Sequence, residues 1–331
     1  MADIPNPIVL QRADPYAIRY SGRYYFTGSY PAYDRIILRK AEHLADLQKA
    51  EEVTIWKKHE TGLMSHLIWA PELHRVNGKW EIYFGAAPND GQSDGTFNHR
   101  VFCIENADED PMSDNWVERG KVDTGMDTFS LDATTFMHDG EQYLVWGQQD
   151  LEIPGNSNLY IARMANPWTL ATKPVMLVKP EYDWECIRFK VCEGPAVIER
   201  DGKIYITYSA SGTGPEYAMG MLTASADADL LDPKSWTKSA KPVFSTNEAA
   251  HMYGPGHNSF TKAEDGVTDV MIYHVRDYTE IKGDPLYDPN RQACAKEIGW
   301  NEDGPVFGRP EAMTRWTPQT TEVLPPDGSH S

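Results

Sequence analysis

Three acidic residues and one histidine of this 331-residue chain lie at matched distances before glycine turns. Asp14 and Asp132 each stand eight residues before a turn glycine, and Glu193 and His257 each stand nine residues before one. A set of three carboxylates can share acid–base work, because one can donate a proton, a second can activate water, and a third can raise the pKa of the acid by like-charge repulsion. Hydrolysis of a glycosidic bond needs this division of roles.

The turn glycines belong to five segments that share one pattern. Each segment is a strand-like run, a tight turn that ends in glycine, and a second run rich in aromatic and β-branched residues. Asn-Gly and Asp-Gly, which form four of the five turns, supply the positive φ angles of a two-residue hairpin turn. The turn glycines are Gly22, Gly78, Gly140, Gly202 and Gly266, at intervals of 56, 62, 62 and 64 residues.

A period near 60 residues that contains a hairpin and further strands predicts a repeat architecture. The further strand-like runs cover 35–41, 99–106, 158–165 and 217–225. Four strands per unit, repeated radially, form a β-propeller blade, so the sequence predicts an all-β, five-bladed propeller. A chance run of hairpins in a sandwich is the alternative, and the near-even spacing argues against it. The polar segment 39–50 is open to a helix or a loop.

We expect residues 1–331 to form one domain, since no linker rich in Pro, Gly or Ser divides the chain. The predicted blades span about 14–60, 69–120, 132–178, 193–240 and 257–309. The remaining tail, 310–331, is expected to close the ring or to lie over its surface.

The innermost strands of a propeller all begin at one face, so residues at their starts should converge at the axis. Asp14, Asp132, Glu193 and His257 then meet at one end of the channel, where the active site is expected. Taken singly, each carboxylate has a simpler interpretation as a turn, strand-edge or loop residue. The shared position in the blade favours a functional role for all three, and leaves His257 open between a core histidine and an ion-facing one.

The composition limits the class of ligand. The chain contains 31 Lys and Arg against 49 Asp and Glu, a net charge of −18, which argues against binding to nucleic acid or to anionic membranes. A neutral ligand fits this charge, and the 10 Trp and 17 Tyr favour a β protein with a carbohydrate-like partner. No obligatory protein partner is evident. No apolar stretch approaches the ~18 residues of a transmembrane helix.

The N-terminal residues and the cysteines favour a cytoplasmic protein. The start of the chain has no basic region followed by an apolar one, so no secretory signal is expected, and the protein would be secreted only if a leader had been removed. Cys103, Cys186, Cys192 and Cys294 form no Cys-x-x-Cys pair, so a zinc site is not expected and the thiols should be reduced. A Cys186–Cys192 bridge is the alternative in an exported protein.

Five short motifs, in order, resemble glycoside hydrolase family 43. They are "RADPY" around Asp14, "WAPE" at 69–72, "SLDAT" around Asp132, "CEGP" around Glu193 and "GPGHNS" at 254–259. No single motif is specific, but the ordered set, with each member at the head of its own blade, resembles the family from about residue 5 to about 309. The segments "NPIVLQRADPY", "YYFTGS", "YDRI" and "WAPE" look most like its exo-acting α-L-arabinofuranosidases.

The resemblance implies roles for the three carboxylates. It implies that Asp14 is the general base that activates water, Glu193 the general acid and Asp132 the residue that modulates the pKa of the acid. Blades 1 and 4 are not neighbours in a five-bladed ring, so Asp14 and Glu193 can face each other across the channel. An inverting enzyme needs its acid and base roughly 6.5–9.5 Å apart, which leaves room for the attacking water.

The resemblance also implies ligands for the sugar and for an ion. Arg291, in "DPNRQACAKEIGW", would orient the modulator and contact a sugar hydroxyl. Trp69 is a candidate wall of the sugar site, with packing between blades as the alternative, and His66 in "SHLIW" could also reach the sugar. His257 would lie at the centre, where it faces a bound calcium or other small ion. No organic cofactor is expected.

The predicted function is therefore an inverting exo-glycosidase that releases terminal α-L-arabinofuranosyl residues from arabinan- or arabinoxylan-derived oligosaccharides. A β-xylosidase is the nearest alternative, because the two non-reducing sugars present similar edges, and an endo-arabinanase is a third. A non-catalytic carbohydrate-binding propeller is the alternative from another class. It would keep Trp69 and Arg291 but would not need both Asp14 and Glu193.

Overall fold

The five-bladed propeller is confirmed by the computed structural model, which describes residues 4–93 and 95–325. Five antiparallel sheets follow one another along the chain, and the innermost strand of each contacts the innermost strands of its neighbours. The last innermost strand contacts the first, which closes the ring around a central channel. The described residues form only four short 3₁₀ turns besides strands, and none of their helices is long and apolar enough to span a membrane.

Each blade begins at the channel and proceeds outward. Blade 1 contains β1 (Ala13–Tyr20), β2 (Arg23–Ser29), β3 (Arg35–Ala41) and β4 (Glu52–Lys57). Blade 2 contains β5 (His66–Val76), β6 (Lys79–Ala87), the small hairpin β7 (Gln92–Ser93) and β8 (Thr96–Phe97), β9 (Arg100–Asn106) and β10 (Val117–Lys121). Blade 3 contains β11 (Ser130–His138), β12 (Glu141–Gln148), β13 (Asn158–Asn166), β14 (Thr169–Leu170) and β15 (Val175–Val178).

The last two blades follow the same plan. Blade 4 contains β16 (Cys192–Arg200), β17 (Lys203–Ala210), β18 (Ala218–Ser225) and β19 (Thr237–Lys238). Blade 5 contains β20 (Tyr253–Lys262), β21 (Asp269–Arg276) and β22 (Gln292–Glu297), followed by the hairpin β23 (Gly299–Asn301) and β24 (Gly304–Val306). The segment 39–50, open to a helix or a loop from its sequence, contains the end of β3 and a 3₁₀ turn at Leu44–Asp46.

Four of the five predicted hairpin turns are two-residue turns in which both residues have positive φ, as in Asp201-Gly202 with φ of 51° and 73°. This geometry matches the right-handed twist of the flanking strands. The fifth turn differs, since β20 and β21 are joined by a longer loop in which the Ala263 amide donates to the carbonyl of Thr268 and the Asp265 carboxylate accepts from two backbone amides. The two-residue prediction at Gly266 is therefore wrong.

The ring is closed by the N-terminal segment. Blade 5 has only three strands in its main sheet, and Val9 pairs with Ala293 of β22 at the outer edge. The side-chain amide of Asn6 then imitates a strand residue, because it both donates to and accepts from the backbone of Ala295. Ile8 and Val9 are fully buried, so this segment is part of the core.

The tail packs on this N-terminal segment. The Thr314 amide donates to the carbonyl of Asn6, and the Leu324 amide donates to Oε1 of Gln11. Of the predicted tail 310–331, residues 326–331 lie outside the described part of the chain.

One hydrophobic cluster fills each of the five interfaces between neighbouring blades. Between blades 1 and 2, for example, Ile36 and Leu38 pack against Trp80 and Phe84, all of which are buried. The same arrangement recurs around the ring. The inner strands are therefore held by core packing on both faces, which fixes the positions of the residues at their starts. All four cysteines are free, so no bridge joins Cys186 to Cys192.

Candidate active site

A β-bulge interrupts each innermost strand near its start, at the end of the channel that we call the mouth. At every bulge one residue takes the left-handed backbone conformation, which is uncommon for residues other than glycine. These residues are Asp14 (φ 52°), Ala70 (46°), Asp132 (54°), Gly194 (54°) and His257 (45°). The pairing register with the second strand of the blade shifts at each of them. Bulges re-aim side chains, so this repeated bulge directs residues of all five blades toward one place.

Glu193 stands one residue before the bulge of blade 4. It pairs with Ser209 in the position that Trp69 and Leu131 occupy in blades 2 and 3. Glu193 therefore does not share the blade position of Asp14 and Asp132, and this offset explains its nine-residue spacing to the turn glycine. The nine-residue spacing of His257 has a different cause, namely the longer loop between β20 and β21.

A small pocket at the mouth gathers most of the predicted residues. It is lined by Asp14, Tyr33, Trp69, Leu131, Asp132, Glu193, Thr213, His257, Leu286 and Arg291. Six of the seven predicted site residues are in this set. His66 is not among the lining residues; it is half-buried at the start of β5, with its Nδ1 2.9 Å from Oγ of Ser65.

Asp14 is surrounded by donors. Ser29 Oγ donates to Oδ2 at 2.5 Å, and Arg291 Nη1 and His257 Nδ1 lie 3.4 and 3.2 Å from Oδ1. Burial alone would raise the pKa of Asp14, but the neighbouring His257 and Arg291 side chains lower it well below its usual value. Asp14 is therefore a carboxylate throughout the neutral range.

Ser29 connects this carboxylate to the next blade. Its hydroxyl accepts a hydrogen bond from the backbone amide of Ala70 at 2.8 Å while it donates to Asp14. The left-handed conformation of Ala70 therefore presents an amide that orients Ser29, and Ser29 in turn orients Asp14. The "WAPE" motif contributes to the site through this backbone contact as well as through Trp69.

Glu193 has the opposite electrostatic environment. Burial and the charge of Asp14 raise its pKa to about 7, although a hydrogen bond donated by Tyr217 at 2.8 Å and the charge of Arg291 act against the increase. A large fraction of Glu193 therefore carries a proton near neutral pH. The pocket thus holds one ionised carboxylate and one carboxylic acid.

Asp132 couples to both of these groups. Its Oδ2 accepts from the backbone amide of Gly194 at 3.0 Å, which ties β11 to the bulge that carries Glu193. Burial and repulsion by Glu193 and Asp14 raise the pKa of Asp132 well above its usual value. Because the charge of Glu193 raises the pKa of Asp132, ionisation of both groups together is less favourable than ionisation of one.

Arg291 supplies the positive charge of the pocket and is 4% exposed. Its Nη1 faces Asp14, and its Nη2 donates to the hydroxyl of Tyr33 at 3.0 Å. The Tyr33 hydroxyl in turn donates to the carbonyl of Leu286 at 2.5 Å. Loops of blades 1 and 5 are joined by this hydrogen bond, and together they wall one side of the pocket.

Trp69 forms another wall and also packs between blades. Its ring is 8% exposed, stacks on His99 with centroids 3.8 Å apart, and meets the edges of Tyr33 and Phe97. Burial lowers the pKa of His99 to about 3, so the stacking partner is neutral. Both interpretations from the sequence, a pocket wall and a packed residue, apply to Trp69.

His257 lies between two of the carboxylates, with Nδ1 3.2 Å from Asp14 and 3.8 Å from Asp132. Burial lowers its pKa. Its Nε2 is buried and has no hydrogen-bond partner, which leaves this atom available to a water or an ion. Calcium prefers six to eight oxygen ligands, so the nitrogen atom Nε2 is not one of its usual direct ligands. The described residues contain no group of three or more His, Cys, Asp or Glu that could hold a metal.

Several residues of the pocket were not predicted from the sequence. Tyr33, Thr213 and Leu286 come from loops, and Ser29, His274 and Tyr217 contact the carboxylates from outside the innermost strands. The spacing to turn glycines detects only residues at the starts of innermost strands. Tyr33 lies in the "YDRI" segment, which indicated the family resemblance but gave no indication that Tyr33 lines the pocket.

Comparisons with known proteins identify the family of the chain. The profile of the family described as glycosyl hydrolases family 43 matches residues 4–306. The chain is 51% identical to an extracellular exo-α-(1→5)-L-arabinofuranosidase of Streptomyces chartreusis over 86% of both chains. It is 48% identical to a protein of the same name from Streptomyces avermitilis, over 93% of this chain and 63% of that protein's length. The crystal structure of an α-L-arabinofuranosidase from Lactobacillus brevis superimposes with a TM-score of 0.93 at 55% identity, covering 95% of this chain and 99% of that one.

The raised pKa of Glu193 predicts a pH-dependent effect of Glu193→Gln on stability. A carboxyl whose pKa is higher in the folded state stabilises the fold at low pH, and this contribution is lost as pH rises through about 7. Glutamine never ionises, so the variant should be more stable than the wild type by roughly 1–3 kcal/mol at about pH 8 and nearly equal at about pH 5. Urea unfolding at the two pH values measures the difference.

Glu185→Gln is the matched control for this prediction. Glu185 is fully buried, whereas Glu193 is partly exposed; like Glu193, Glu185 accepts from a tyrosine hydroxyl, but it pairs with Lys238 at 2.8 Å. Its substitution should lower stability at both pH values. A stability difference between Glu193→Gln and the wild type that does not change with pH would contradict the raised pKa.

Proposed function

Because the chain belongs to glycosyl hydrolase family 43, we propose that it is an exo-acting, inverting α-L-arabinofuranosidase and that its active site is the pocket at the mouth. The observation that carries the proposal is the pair of carboxyl groups in one buried pocket with pKa values shifted in opposite directions, Asp14 downward and Glu193 upward. Pairs of titratable groups whose environments separate their pKa values are typical of acid–base catalysis. The relatives named as arabinofuranosidases support the substrate class.

Asp14 is the general base. As the oxygen of water forms a bond to the anomeric carbon, Asp14 accepts a proton from that water. The hydrogen bond from Ser29 and the contacts with Arg291 and His257 keep Asp14 ionised and oriented before the reaction. A preorganised base of this kind loses little free energy to reorganisation in the transition state.

Glu193 is the general acid. It donates its proton to the glycosidic oxygen as the bond from that oxygen to the anomeric carbon breaks, so the leaving sugar departs as an alcohol. Glu193 ends the step ionised, Asp14 ends it protonated, and exchange with solvent restores both. A pKa of about 7 suits this role, because an acid is most effective when its pKa is near the working pH.

Asp132 and Arg291 tune these two groups. Asp132 and Glu193 lie close enough for their negative charges to disfavour simultaneous ionisation, and the Gly194 amide holds Asp132 in position. Arg291 compensates the charge that remains in the pocket, and its contact with Tyr33 holds it near Asp14. We assign sugar contacts to Arg291 and Trp69. His66 lies outside the lining set, so the contact with a sugar predicted for it remains a prediction.

An exo mode of attack is supported by the closed side of the pocket. The hydrogen bond from Tyr33 to the Leu286 carbonyl joins loops of blades 1 and 5 across that side, so an oligosaccharide would meet a wall instead of an open groove. One terminal sugar can then enter. We propose arabinan- or arabinoxylan-derived oligosaccharides as substrates; the names of two relatives specify exo action on α-1,5-linked L-arabinofuranosyl residues.

The ion and the cellular location stay predictions. A calcium or other small ion near His257 rests on the family resemblance and on the unpartnered Nε2, and no step above uses it. Metal analysis of the purified protein would test its presence. The N-terminal residues predict a cytoplasmic location, whereas two relatives are named extracellular.

Alanine substitutions should separate the roles of the two carboxyl groups. Asp14→Ala should lower kcat/KM by a factor of about 10²–10⁴ on every aryl α-L-arabinofuranoside, because the base is needed whatever the leaving group. Glu193→Ala should lose a similar factor on arabino-oligosaccharides but less than about tenfold on a dinitrophenyl arabinofuranoside, whose leaving group needs no proton. Initial rates on the two substrate types measure the difference.

Glu199→Ala is the control, since Glu199 lies on the same strand as Glu193 and is exposed. It should retain the wild-type rate. If Asp14→Ala and Glu193→Ala both retain activity, the mechanism is wrong. If the wild type binds oligosaccharide but hydrolyses neither aryl arabinofuranosides nor aryl xylosides, the alternative of a non-catalytic binding protein is correct.

Product analysis should report the mode of attack and the stereochemistry together. Digestion of an α-1,5-linked arabinohexaose, followed by proton NMR, should release arabinose alone at first, and as the β anomer before mutarotation. Early release of di- or trisaccharides would contradict the exo mode, and initial α-arabinose would contradict inversion. On aryl β-D-xyloside, kcat/KM should be lower by at least about tenfold, since a site shaped for one sugar loses binding energy with another.

A further inference from the structure

Tyr217 contacts the general acid Glu193 without taking part in either proton transfer. It is 1% exposed, lies in the loop between β17 and β18, and donates from its hydroxyl to Oε1 of Glu193 at 2.8 Å. Its backbone amide donates to the carbonyl of Gly214, which anchors the loop. Tyr217 therefore approaches Glu193 from a rigid and buried position.

The ring of Tyr217 is held on two sides. It stacks on His274 with centroids 5.4 Å apart and planes 14° apart. It also fills the space above Gly256, where an added Cβ would lie 2.6 Å from ring carbon Cε1. Gly256 pairs with β21 just before the bulge of blade 5, in the place that Glu193 has in blade 4. Because Gly256 has no side chain, the ring of Tyr217 fits beside blade 5 and its hydroxyl reaches Glu193 of blade 4.

His274 continues this arrangement to the base. Its Nδ1 accepts a hydrogen bond from the backbone amide of Asp14 at 3.1 Å. Burial lowers the pKa of His274 to about 3, so the ring is neutral and can accept at Nδ1. Tyr217 and His274 thus form a packed bridge between the acid and the base of the pocket.

We propose that Tyr217 is a positioning residue for the reaction, and that its hydrogen bond to Oε1 of Glu193 leaves Oε2 as the oxygen that carries the transferable proton. The inference rests on the proposed function and deepens it. A hydroxyl that already donates to Oε1 disfavours a proton on that oxygen. The same hydrogen bond becomes stronger when Glu193 is ionised, so it stabilises the carboxylate that proton transfer leaves behind.

The other charged and titratable groups around Glu193 are known from the structure. Burial and the charge of Asp14 in β1 raise its pKa, and Arg291, which precedes β22, lowers it. Glu193 in turn raises the pKa of Asp132 in β11. The histidines of blade 5, His257 and His274, are buried with lowered pKa values and are neutral near pH 7. Tyr217 is therefore the one uncharged donor to the Glu193 side chain among the described residues.

Tyr217→Phe should shift the pH dependence of activity. Loss of a hydrogen bond that favours the ionised form should raise the pKa of Glu193, so the alkaline limb of the kcat/KM profile should move up by about 0.5–1 unit. The limb moves upward because activity needs the protonated acid and is lost as pH rises through its pKa. At the pH optimum, kcat should fall by about tenfold, since the proton is no longer confined to one oxygen.

Tyr208→Phe is the matched control. Tyr208, like Tyr217, is a buried tyrosine that donates to a glutamate, with its hydroxyl 2.7 Å from Oε1 of Glu185, but this pair lies outside the pocket. The control should lose a comparable amount of stability and should keep the wild-type pH profile. If Tyr217→Phe loses activity with an unshifted alkaline limb, Tyr217 is only structural and the proposal is overturned.

Two further measurements keep the test independent of folding and of activity. Gly256→Ala retains the phenol but displaces its ring, and should produce a smaller shift in the same direction. A carbon-13 titration of the glutamate carboxyls, assigned with Glu193→Gln, reports the pKa of Glu193 without substrate. If the wild type hydrolyses no aryl arabinofuranoside, the proposed function fails, while an upward shift of the Glu193 titration in Tyr217→Phe still supports the contact. If the Glu193 titration is the same in Tyr217→Phe as in the wild type, the proposed role of Tyr217 is overturned.

Discussion

Each innermost strand of the propeller is interrupted by a bulge at the mouth of the channel, and one residue of that bulge is held in the left-handed conformation. This backbone constraint determines which side chains meet. It directs Asp14, Asp132 and His257 toward the axis, and in blade 4 it places a glycine there instead, whose amide binds Asp132. Glu193, one residue earlier, thereby takes the position of a wall residue such as Trp69. The blades have similar backbones, so they differ in chemistry through the single residues that occupy the bulge of each innermost strand.

The electrostatics of the pocket follow from this placement. Three carboxyl groups with a single buried arginine cannot all be ionised without a large cost, because the low dielectric of a buried site strengthens repulsion. Asp14 is ionised because Arg291, His257 and Ser29 all face it. Glu193 and Asp132 have fewer stabilising partners and therefore have raised pKa values. The division between base and acid is thus decided by which carboxylate the donors reach, and the ring closure by the N-terminal segment keeps blade 5, which carries Arg291 and His257, against blade 1.

Much of this arrangement could be predicted from local sequence signals. The conformations of the Asn-Gly and Asp-Gly turns and of the strands around them are determined by residues close in sequence. Their spacing therefore predicted five blades, with Asp14, Asp132 and Glu193 at one end of the channel. The one-residue offset of Glu193 was visible as a spacing of nine but could not be interpreted without the register of β16. Tyr33, Tyr217 and Leu286 were not predicted, because they come from loops without periodicity and reach the pocket only through long-range packing. The pairing of Val9 with blade 5 was not predicted, because a short apolar pair is compatible with several strand partners. The longer loop at Gly266 was not predicted, because an Asp-Gly dipeptide occurs in several types of turn.

The bulges create one pocket in which Asp14 is ionised while Glu193 is protonated. Neutron diffraction from crystals of the deuterium-exchanged protein, held just below the pKa of Glu193, locates these protons directly. We expect deuterium on Oε2 of Glu193, deuterium on the Tyr217 hydroxyl directed at Oε1, and none on either oxygen of Asp14. Deuterium on Asp14, or a Glu193 without deuterium on either oxygen, would contradict it.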